Sequence, residues 1–223
     1  HTNTEMVGHF AARIKNVFPD AEILLTIRNQ RTIIESKYMA SGRIMKNFPK
    51  PYDNRYVEFD AWLEWCWKNW DDSYLGLIDY QKHIEMYEDK FGANKVHILL
   101  YEDFINSPDE FTKKISTILD INYDEACKCL LGQKPVNSQD TSRSVNYSKL
   151  REYFFPGLDI KNKIPFAKYL IKLIQIYMRS SSPVKKQKIP AEWDEKLNEK
   201  YRYGNNILVD KYNLPLSKYN YPL

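Results

Sequence analysis

The chain has 223 residues, of which 43% are hydrophobic and 28% charged, enough for one α/β domain with a sizeable core. The net charge is +4, but eight basic residues and no acidic residue lie between Lys161 and Lys188, and this uneven distribution disfavours nucleic acid as a partner. With no apolar run of transmembrane length, no signal peptide at residue 1 and three cysteines without zinc spacing, we expect a reduced, cytoplasmic protein.

The first elements read as a helix, a strand and a second helix. Residues 8–18 have apolar groups at helical spacing, and residues 22–27, EILLTI, form a short apolar run typical of a buried parallel strand. Asn29 then predicts the N-cap of a helix over residues 31–42. Further on, apolar positions recur at helical spacing: Phe59, Trp62, Leu63, Cys66 and Trp70. Another helix follows and ends at Gly92.

The segment KVHILLYEDF predicts a second apolar strand, closed by Glu102 and Asp103. SPDE predicts the start of the next helix, with Ser107 as the cap and Glu110 closing a capping box. The buried face of that helix is expected to carry Phe111, Ile115, Ile118 and Leu119. This order of strands and helices predicts a parallel sheet with helices on its faces, although two strands are too few to complete one.

Arg28 and Ser36 together suggest an anion site. In open α/β sheets ligands bind beyond the carboxyl ends of the strands, where helix N-termini favour negative charge. Arg28 ends the first strand and Ser36 follows two helical turns later, so a guanidinium fork and a hydroxyl are available for phosphate oxygens. The alternative is an arginine in a surface ion pair and a serine on a solvated helix face.

Three segments carry a family resemblance. LLTIRNQRTIIESKY resembles the 3′-phosphate-binding segment of sulfotransferases that use 3′-phosphoadenosine 5′-phosphosulfate (PAPS), with the same Arg-to-Ser spacing of eight. KVHILLYEDFINSPDEFTKKISTILDI resembles the strand and helix that follow in that family, and YGNNILVDKYNLPLSKYNYP is similar to the ends of bacterial carbohydrate-type members. The resemblance implies one domain over residues 1–223 with a three-layer α/β sandwich, a parallel sheet and a nucleotide-kinase-like fold.

The chain departs from the family pattern twice. Gln30 stands where proline commonly follows Arg-Asn. The strand and the Lys-Ser-Gly-Thr-Thr-like loop that wrap the 5′-phosphosulfate have no counterpart here, and with seven glycines no substitute is visible. We therefore expect a domain that is truncated at its N-terminus, and that as a fragment could be inactive.

The resemblance implies transfer of a sulfuryl group from PAPS to a hydroxyl of a glycan or glycolipid, without a metal. Arg28, Ser36 and Arg143, from a C-terminal loop, would hold the 3′-phosphate of PAPS and of its product, adenosine 3′,5′-bisphosphate; for Arg143 an exposed loop arginine is the alternative. The implied general base is a histidine or glutamate. His9 and Glu5 are the candidates, His1 is another, and the base could also precede residue 1. We expect His83 and His97 to be packing or surface residues.

Trp65 and Trp67 are the candidate sugar contacts, because they fall off the apolar stripe of their helix; packing is the alternative. Glu102 could cap a neighbouring helix or pair with Arg28. Residues 166–178, flanked by lysines, could lie on an anionic membrane surface or simply cover the domain.

Two other functions compete. A non-catalytic scaffold or interaction module peripheral to a membrane would use Lys168 and Lys172. An ATP-dependent kinase is disfavoured, because the sequence has no Gly-rich lysine loop and no metal-binding acidic pair. The acceptor and the oligomeric state are not determined by the sequence.

Overall fold

The computed structural model describes residues 3–42, 44–45, 55–131, 173 and 187–223. Among these residues the helices in chain order are α1 (Asn3–Val17), α2 (Gln30–Lys37), α3 (Phe59–Lys68), α4 (Tyr74–Leu77), α5 (Tyr80–Phe91), α6 (Tyr101–Asn106), α7 (Pro108–Leu119), α8 (Tyr123–Leu130) and α9 (Ala191–Tyr212). The strands are β1 (Ile23–Ile27), β2 (Ile44–Met45), β3 (Arg55–Tyr56) and β4 (Val96–Leu100). Short π or 3-10 turns are Tyr38–Gly42, Trp70–Asp72, Ala93–Lys95 and Leu216–Tyr219.

The two apolar strands predicted from the sequence pair with each other. β1 and β4 are parallel, in a register that runs from Ile23 opposite Val96 to Ile27 opposite Leu100. Helix α5 packs on both strands and also contacts α1 and α9. The predicted α/β class, a parallel sheet covered by helices, is confirmed. β2 and β3 form a separate antiparallel pair of two residues each.

The chain divides into two compact units. The first comprises residues 1–33, 66–134 and 191–223, and the second comprises residues 34–65 and 135–190. The prediction of one domain over residues 1–223 stays a prediction. In the first unit, apolar side chains from both strands, α5, α9 and the C-terminal segment form one buried cluster: Ile27, Ile84, Val96, Leu100, Leu208, Leu216 and Tyr221.

The described part of the second unit has an aromatic core. Tyr38 and Phe59 have ring centroids 4.5 Å apart, and Trp62 lies 5.7 Å from Tyr38 and 6.0 Å from Phe59. The Tyr38 hydroxyl donates to the carbonyl oxygen of Val57 at 2.8 Å, which satisfies a polar group inside this core. The predicted burial of Phe59 and Trp62 is confirmed, because both side chains are buried.

The start of α7 differs from the prediction. Ser107 is the N-cap and Pro108 opens the helix, but the serine side chain makes no capping hydrogen bond. Glu110 does not close a capping box either, since its carboxylate accepts from Lys113 Nζ at 2.9 Å. Leu119 is 51% exposed, so its predicted place on the buried face is also wrong.

Within the described ranges, none of the helices combines the length and the apolar character that crossing a membrane requires.

Candidate anion-binding site

The parallel register brings Arg28 and Tyr101 side by side. Because Ile27 is the partner of Leu100, the residues that follow them leave the sheet at the same edge. The guanidinium carbon of Arg28 lies over the Tyr101 ring, 4.7 Å from its centroid, in the range of a cation–π contact. Both residues are half-buried. A cation is thus held at the carboxyl end of the sheet, where ligands of α/β folds bind.

Hydrogen bonds hold Arg28 by its side chain and by its backbone. Its Nε donates to Oγ1 of Thr32 at 3.0 Å. The hydroxyl of Tyr80 donates to the Arg28 carbonyl oxygen at 2.7 Å and accepts from the Arg28 N–H at 3.3 Å. Burial raises the pKa of Tyr80 well above its usual range, so this hydroxyl keeps its proton at neutral pH.

Two arginines flank Asn29, and they differ in their partners. Arg31 donates from Nε to the carboxylate of Asp194 and from Nη1 to the Asn220 carbonyl oxygen. Within the described residues no carboxylate pairs with Arg28. Arg31 is therefore a structural cation that is already neutralised, whereas the charge of Arg28 is available to an anion.

Asn29 anchors the turn that carries Arg28. Its Oδ1 accepts from the N–H of Arg31 at 2.9 Å, which confirms the predicted N-cap. Its Nδ2 donates to the carbonyl oxygens of Tyr219 and Asn220 at 2.8 and 2.9 Å. Its backbone N–H donates to Oε1 of Glu102 at 2.8 Å. The turn is thus fixed to α6 and to the C-terminal segment.

In the described contacts, Glu102 and Asp103 accept hydrogen bonds that join α6 to other parts of the fold. They do not close the strand as predicted, because β4 ends at Leu100 and both lie in the first turn of α6. Of the two interpretations of Glu102, the cap of a neighbouring helix is the one observed. Glu102 Oε2 also accepts from the Tyr221 hydroxyl at 2.9 Å, and Asp103 Oδ1 accepts from the Tyr219 hydroxyl at 2.6 Å.

The structure says less about the other two predicted phosphate ligands, Ser36 and Arg143. Ser36 is exposed on α2, and its helix position belongs to the second compact unit, whereas Arg28 belongs to the first. Their joint use of one anion stays a prediction. Arg143 lies outside the described residues, as do Lys168 and Lys172 of the segment considered for membrane contact.

The candidate bases lie on α1. Glu5 and His9 are both exposed and four residues apart, a spacing that places them on one face of the helix. Their catalytic role stays a prediction, and His1 lies outside the described residues. The expected packing and surface roles of the other histidines agree with their positions: His83 is buried, and His97 Nε2 lies 2.8 Å from Glu22 Oε2.

Trp65 and Trp67 are both half-buried. Trp67 makes edge-to-face contacts, with ring centroids 5.5 Å from Trp70 and 6.0 Å from Trp193. Trp70, predicted on the buried stripe, is half-buried and lies 5.4 Å from the Tyr201 ring. The sugar-contact role of Trp65 and Trp67 stays a prediction.

In the part of the chain that the structure describes, no group of three or more His, Cys, Asp or Glu side chains could hold a metal ion.

Sequence reasoning did not connect three residues that hold Arg28 with this arginine. Thr32 lies four positions after Arg28, and this helical spacing was a usable signal. Tyr101 directly follows the second strand, but its place beside Arg28 depends on strand register. Tyr80 is 52 positions away and carried no local signal.

Comparison with known proteins identifies similar chains. A family model described as the sulfotransferase family matches residues 4–125, more than half of the chain. A crystal structure of a sulfotransferase from Alicyclobacillus acidocaldarius is similar at 21% sequence identity and a TM-score of 0.44. The match covers 67% of this chain and 56% of that one, so the chain spans little more than half the length of the solved protein. No curated protein gives a significant match.

Proposed function

The chain belongs to the sulfotransferase family, and we propose that it serves the transfer of a sulfuryl group from PAPS to a hydroxyl of a glycan or glycolipid. The observation that carries the proposal is the guanidinium of Arg28, which has no carboxylate partner among the described residues and follows the end of β1. A guanidinium without a counter-charge can pair with an anion, and a phosphate offers oxygens that match its fork of donors.

The residues at this sheet edge fit a phosphate group. With Nε bonded to Thr32, the terminal nitrogens of Arg28 are left to donate, in the fork geometry that matches phosphate oxygens. Ser36 and Arg143 complete the proposed set for the 3′-phosphate. That phosphate distinguishes PAPS from ATP, so these residues would select the donor as well as anchor it.

Sulfuryl transfer is an in-line displacement in which the protein mainly positions the reactants and stabilises charge. PAPS supplies the sulfuryl group and departs as adenosine 3′,5′-bisphosphate. In this chain Arg28 would fix one end of the nucleotide. His9 or Glu5 would accept the proton of the acceptor hydroxyl, and a general base of this kind typically contributes about 10²–10⁴-fold in rate.

Trp65 and Trp67 are the proposed acceptor contacts. Aromatic rings offer flat apolar surfaces on which sugar rings can lie, and both indoles retain exposed area. The proposal for a glycan or glycolipid acceptor rests on these two residues and on the resemblance of the C-terminal segment to carbohydrate-type members.

A thermal-shift experiment tests the donor assignment. Adenosine 3′,5′-bisphosphate should raise the melting temperature because a ligand that binds only the folded state stabilises it, and ADP, which lacks a 3′-phosphate, should raise it much less. Arg28→Ala should weaken bisphosphate binding roughly 30- to 1000-fold, the loss expected for a bidentate charged contact worth about 2–4 kcal/mol.

Arg202→Ala is the matched control, because Arg202 is an exposed arginine on α9 in the same unit. It should leave the bisphosphate shift unchanged. Equal shifts with ADP and the bisphosphate, or an unchanged shift in Arg28→Ala, would contradict the proposal. Each shift is measured against the same variant without nucleotide, so that a lower basal melting temperature is not mistaken for lost binding.

A further inference from the structure

The aromatic ring of Tyr101 lies beneath Arg28 at the carboxyl end of β4. We propose that Tyr101 is a positioning residue, which holds the guanidinium of Arg28 in the orientation that receives the 3′-phosphate. This inference rests on the proposed function, because it concerns the same anion. It concerns how the arginine is presented, whereas the proposed function concerns what the arginine binds.

Three contacts define the orientation of Arg28. The guanidinium carbon of Arg28 lies over the Tyr101 ring, 4.7 Å from its centroid, and Thr32 Oγ1 accepts a hydrogen bond from Nε at 3.0 Å. Tyr80 holds the backbone of Arg28 through both its N–H and its carbonyl oxygen. An arginine side chain normally loses considerable rotamer freedom when it binds, and contacts made beforehand reduce that loss.

The ring is suited to this task because it orients a cation without neutralising it. A carboxylate in the same place would form an ion pair and compete with the incoming phosphate. The ring attracts the guanidinium through its quadrupole and, unlike a carboxylate, does not form an ion pair that would compete with the phosphate. In the described contacts no hydrogen bond is made by the Tyr101 hydroxyl, so the face of the ring is the functional part.

The position of Tyr101 follows from the sheet. Leu100 and Ile27 are register partners, so the first residue after each strand emerges at the same level. Tyr101 also opens α6, whose Glu102 binds the backbone N–H of Asn29. The ring and the turn that carries Arg28 are therefore fixed to each other by the strand pair and by this hydrogen bond.

The test compares Tyr101→Leu with Tyr101→Phe. The dissociation constants of adenosine 3′,5′-bisphosphate and of 5′-AMP, which lacks the 3′-phosphate, are measured for each protein by titration calorimetry. Tyr101→Leu should weaken the bisphosphate between about 2- and 30-fold, the range of a cation–π contact, and leave 5′-AMP unchanged. Tyr101→Phe retains the ring and should bind the bisphosphate like the wild type.

A second readout needs no nucleotide. The ring should shift the NMR resonance of the proton on Arg28 Nε upfield, and this shift should persist in Tyr101→Phe and disappear in Tyr101→Leu. Tyr203→Leu is the control for loss of a tyrosine, because Tyr203 is 75% exposed on α9. It should change neither the resonance nor the two dissociation constants.

The outcomes separate the two proposals. If the wild type binds the bisphosphate through Arg28 but Tyr101→Leu binds it equally well, the positioning role is overturned and the donor assignment stands. If Tyr101→Leu loses the bisphosphate and 5′-AMP to the same extent, the role is also overturned, because the residue then acts on the fold as a whole. If the wild type does not bind the bisphosphate, both proposals fail.

Discussion

Gln30 is buried and donates from Nε2 to Oδ1 of Asn205 at 2.8 Å. Asn205 in turn donates from Nδ2 to the carbonyl oxygen of Pro222 at 2.7 Å. Proline, which commonly stands at this place in the resembling sequences, suits the first position of a helix but could not supply this amide. The departure from the family pattern thus has a structural counterpart, a polar link from α2 to α9 and the C-terminal segment.

His83 is a residue whose burial has a measurable consequence. The side chain is 8% exposed in α5, and its Nε2 has no hydrogen-bond partner among the described residues. Burial lowers the pKa of His83, and the charge of Lys82 lowers it further, whereas Asp79 and the Leu77 carbonyl oxygen oppose the shift. The folded protein therefore holds this imidazole in its neutral form.

We expect the free energy of unfolding to fall as the pH drops below about 6.5, the usual histidine pKa, because the unfolded chain binds a proton that folded His83 resists. Neutral His83 makes its full contribution to stability above that pH. As the pH falls towards the lower pKa of folded His83, the free energy of unfolding decreases by at most about 1.4 kcal/mol per pH unit. Urea unfolding at pH 7.5 and 5.5 measures it. His83→Gln should flatten the dependence, whereas His97→Gln should not; equal pH dependence in both variants would refute the assignment.

Among the elements, α7 begins where the sequence predicts, but the predicted capping contacts at its start are not formed. The helix begins at Pro108 as the sequence indicates. The predicted capping box is absent. The Ser107 side chain makes no capping hydrogen bond, and the Glu110 carboxylate accepts from Lys113 Nζ instead. At the other end Asp120 adopts a left-handed conformation with φ 51° and donates its N–H to carbonyl oxygens of the last turn.

Asp120→Gly should raise the free energy of unfolding by up to about 1 kcal/mol. Glycine adopts the left-handed conformation without strain. The change also removes a negative charge from the C-terminal end of the helix, where the helix dipole makes negative charge unfavourable. Thermal and urea unfolding measure the effect. Asp109→Gly, in the first turn of the same helix, is the opposite control and should destabilise, because the charge is favourable there and glycine is a poor helix former.

At the level of the whole molecule, the C-terminal segment packs in the core of the first unit and contacts the turn beside the candidate site. Tyr221 is buried in the apolar cluster and its hydroxyl bonds to Glu102, which also holds the N–H of Asn29. Burial and the negative charge of Glu102 raise the pKa of Tyr221 above its usual range, so the hydroxyl remains a donor. The end of the chain is thereby linked to the turn that carries Arg28.

Tyr221→Phe should lower the free energy of unfolding by about 1–2 kcal/mol, because it removes a hydrogen bond to a half-buried carboxylate while keeping the ring in the core. Tyr203→Phe removes a hydroxyl from a ring that is 75% exposed and should change little. Urea unfolding with the slope of the transition as a check on two-state behaviour measures both. Equal effects of the two substitutions would show that the contact with Glu102 contributes nothing to stability.

Local patterns in the sequence were enough to predict the main strand and helix segments, the Asn29 cap and the candidate status of Arg28, because apolar periodicity and capping are read over a few neighbouring residues. The folded chain was needed to show that Tyr101 lies beneath Arg28, that Tyr80 and Glu102 hold its turn, and that Asp194 neutralises Arg31. These contacts join residues 52 to 163 positions apart. They arise from strand register and from the packing of the C-terminal segment, which depend on the whole chain burying its apolar surface at once.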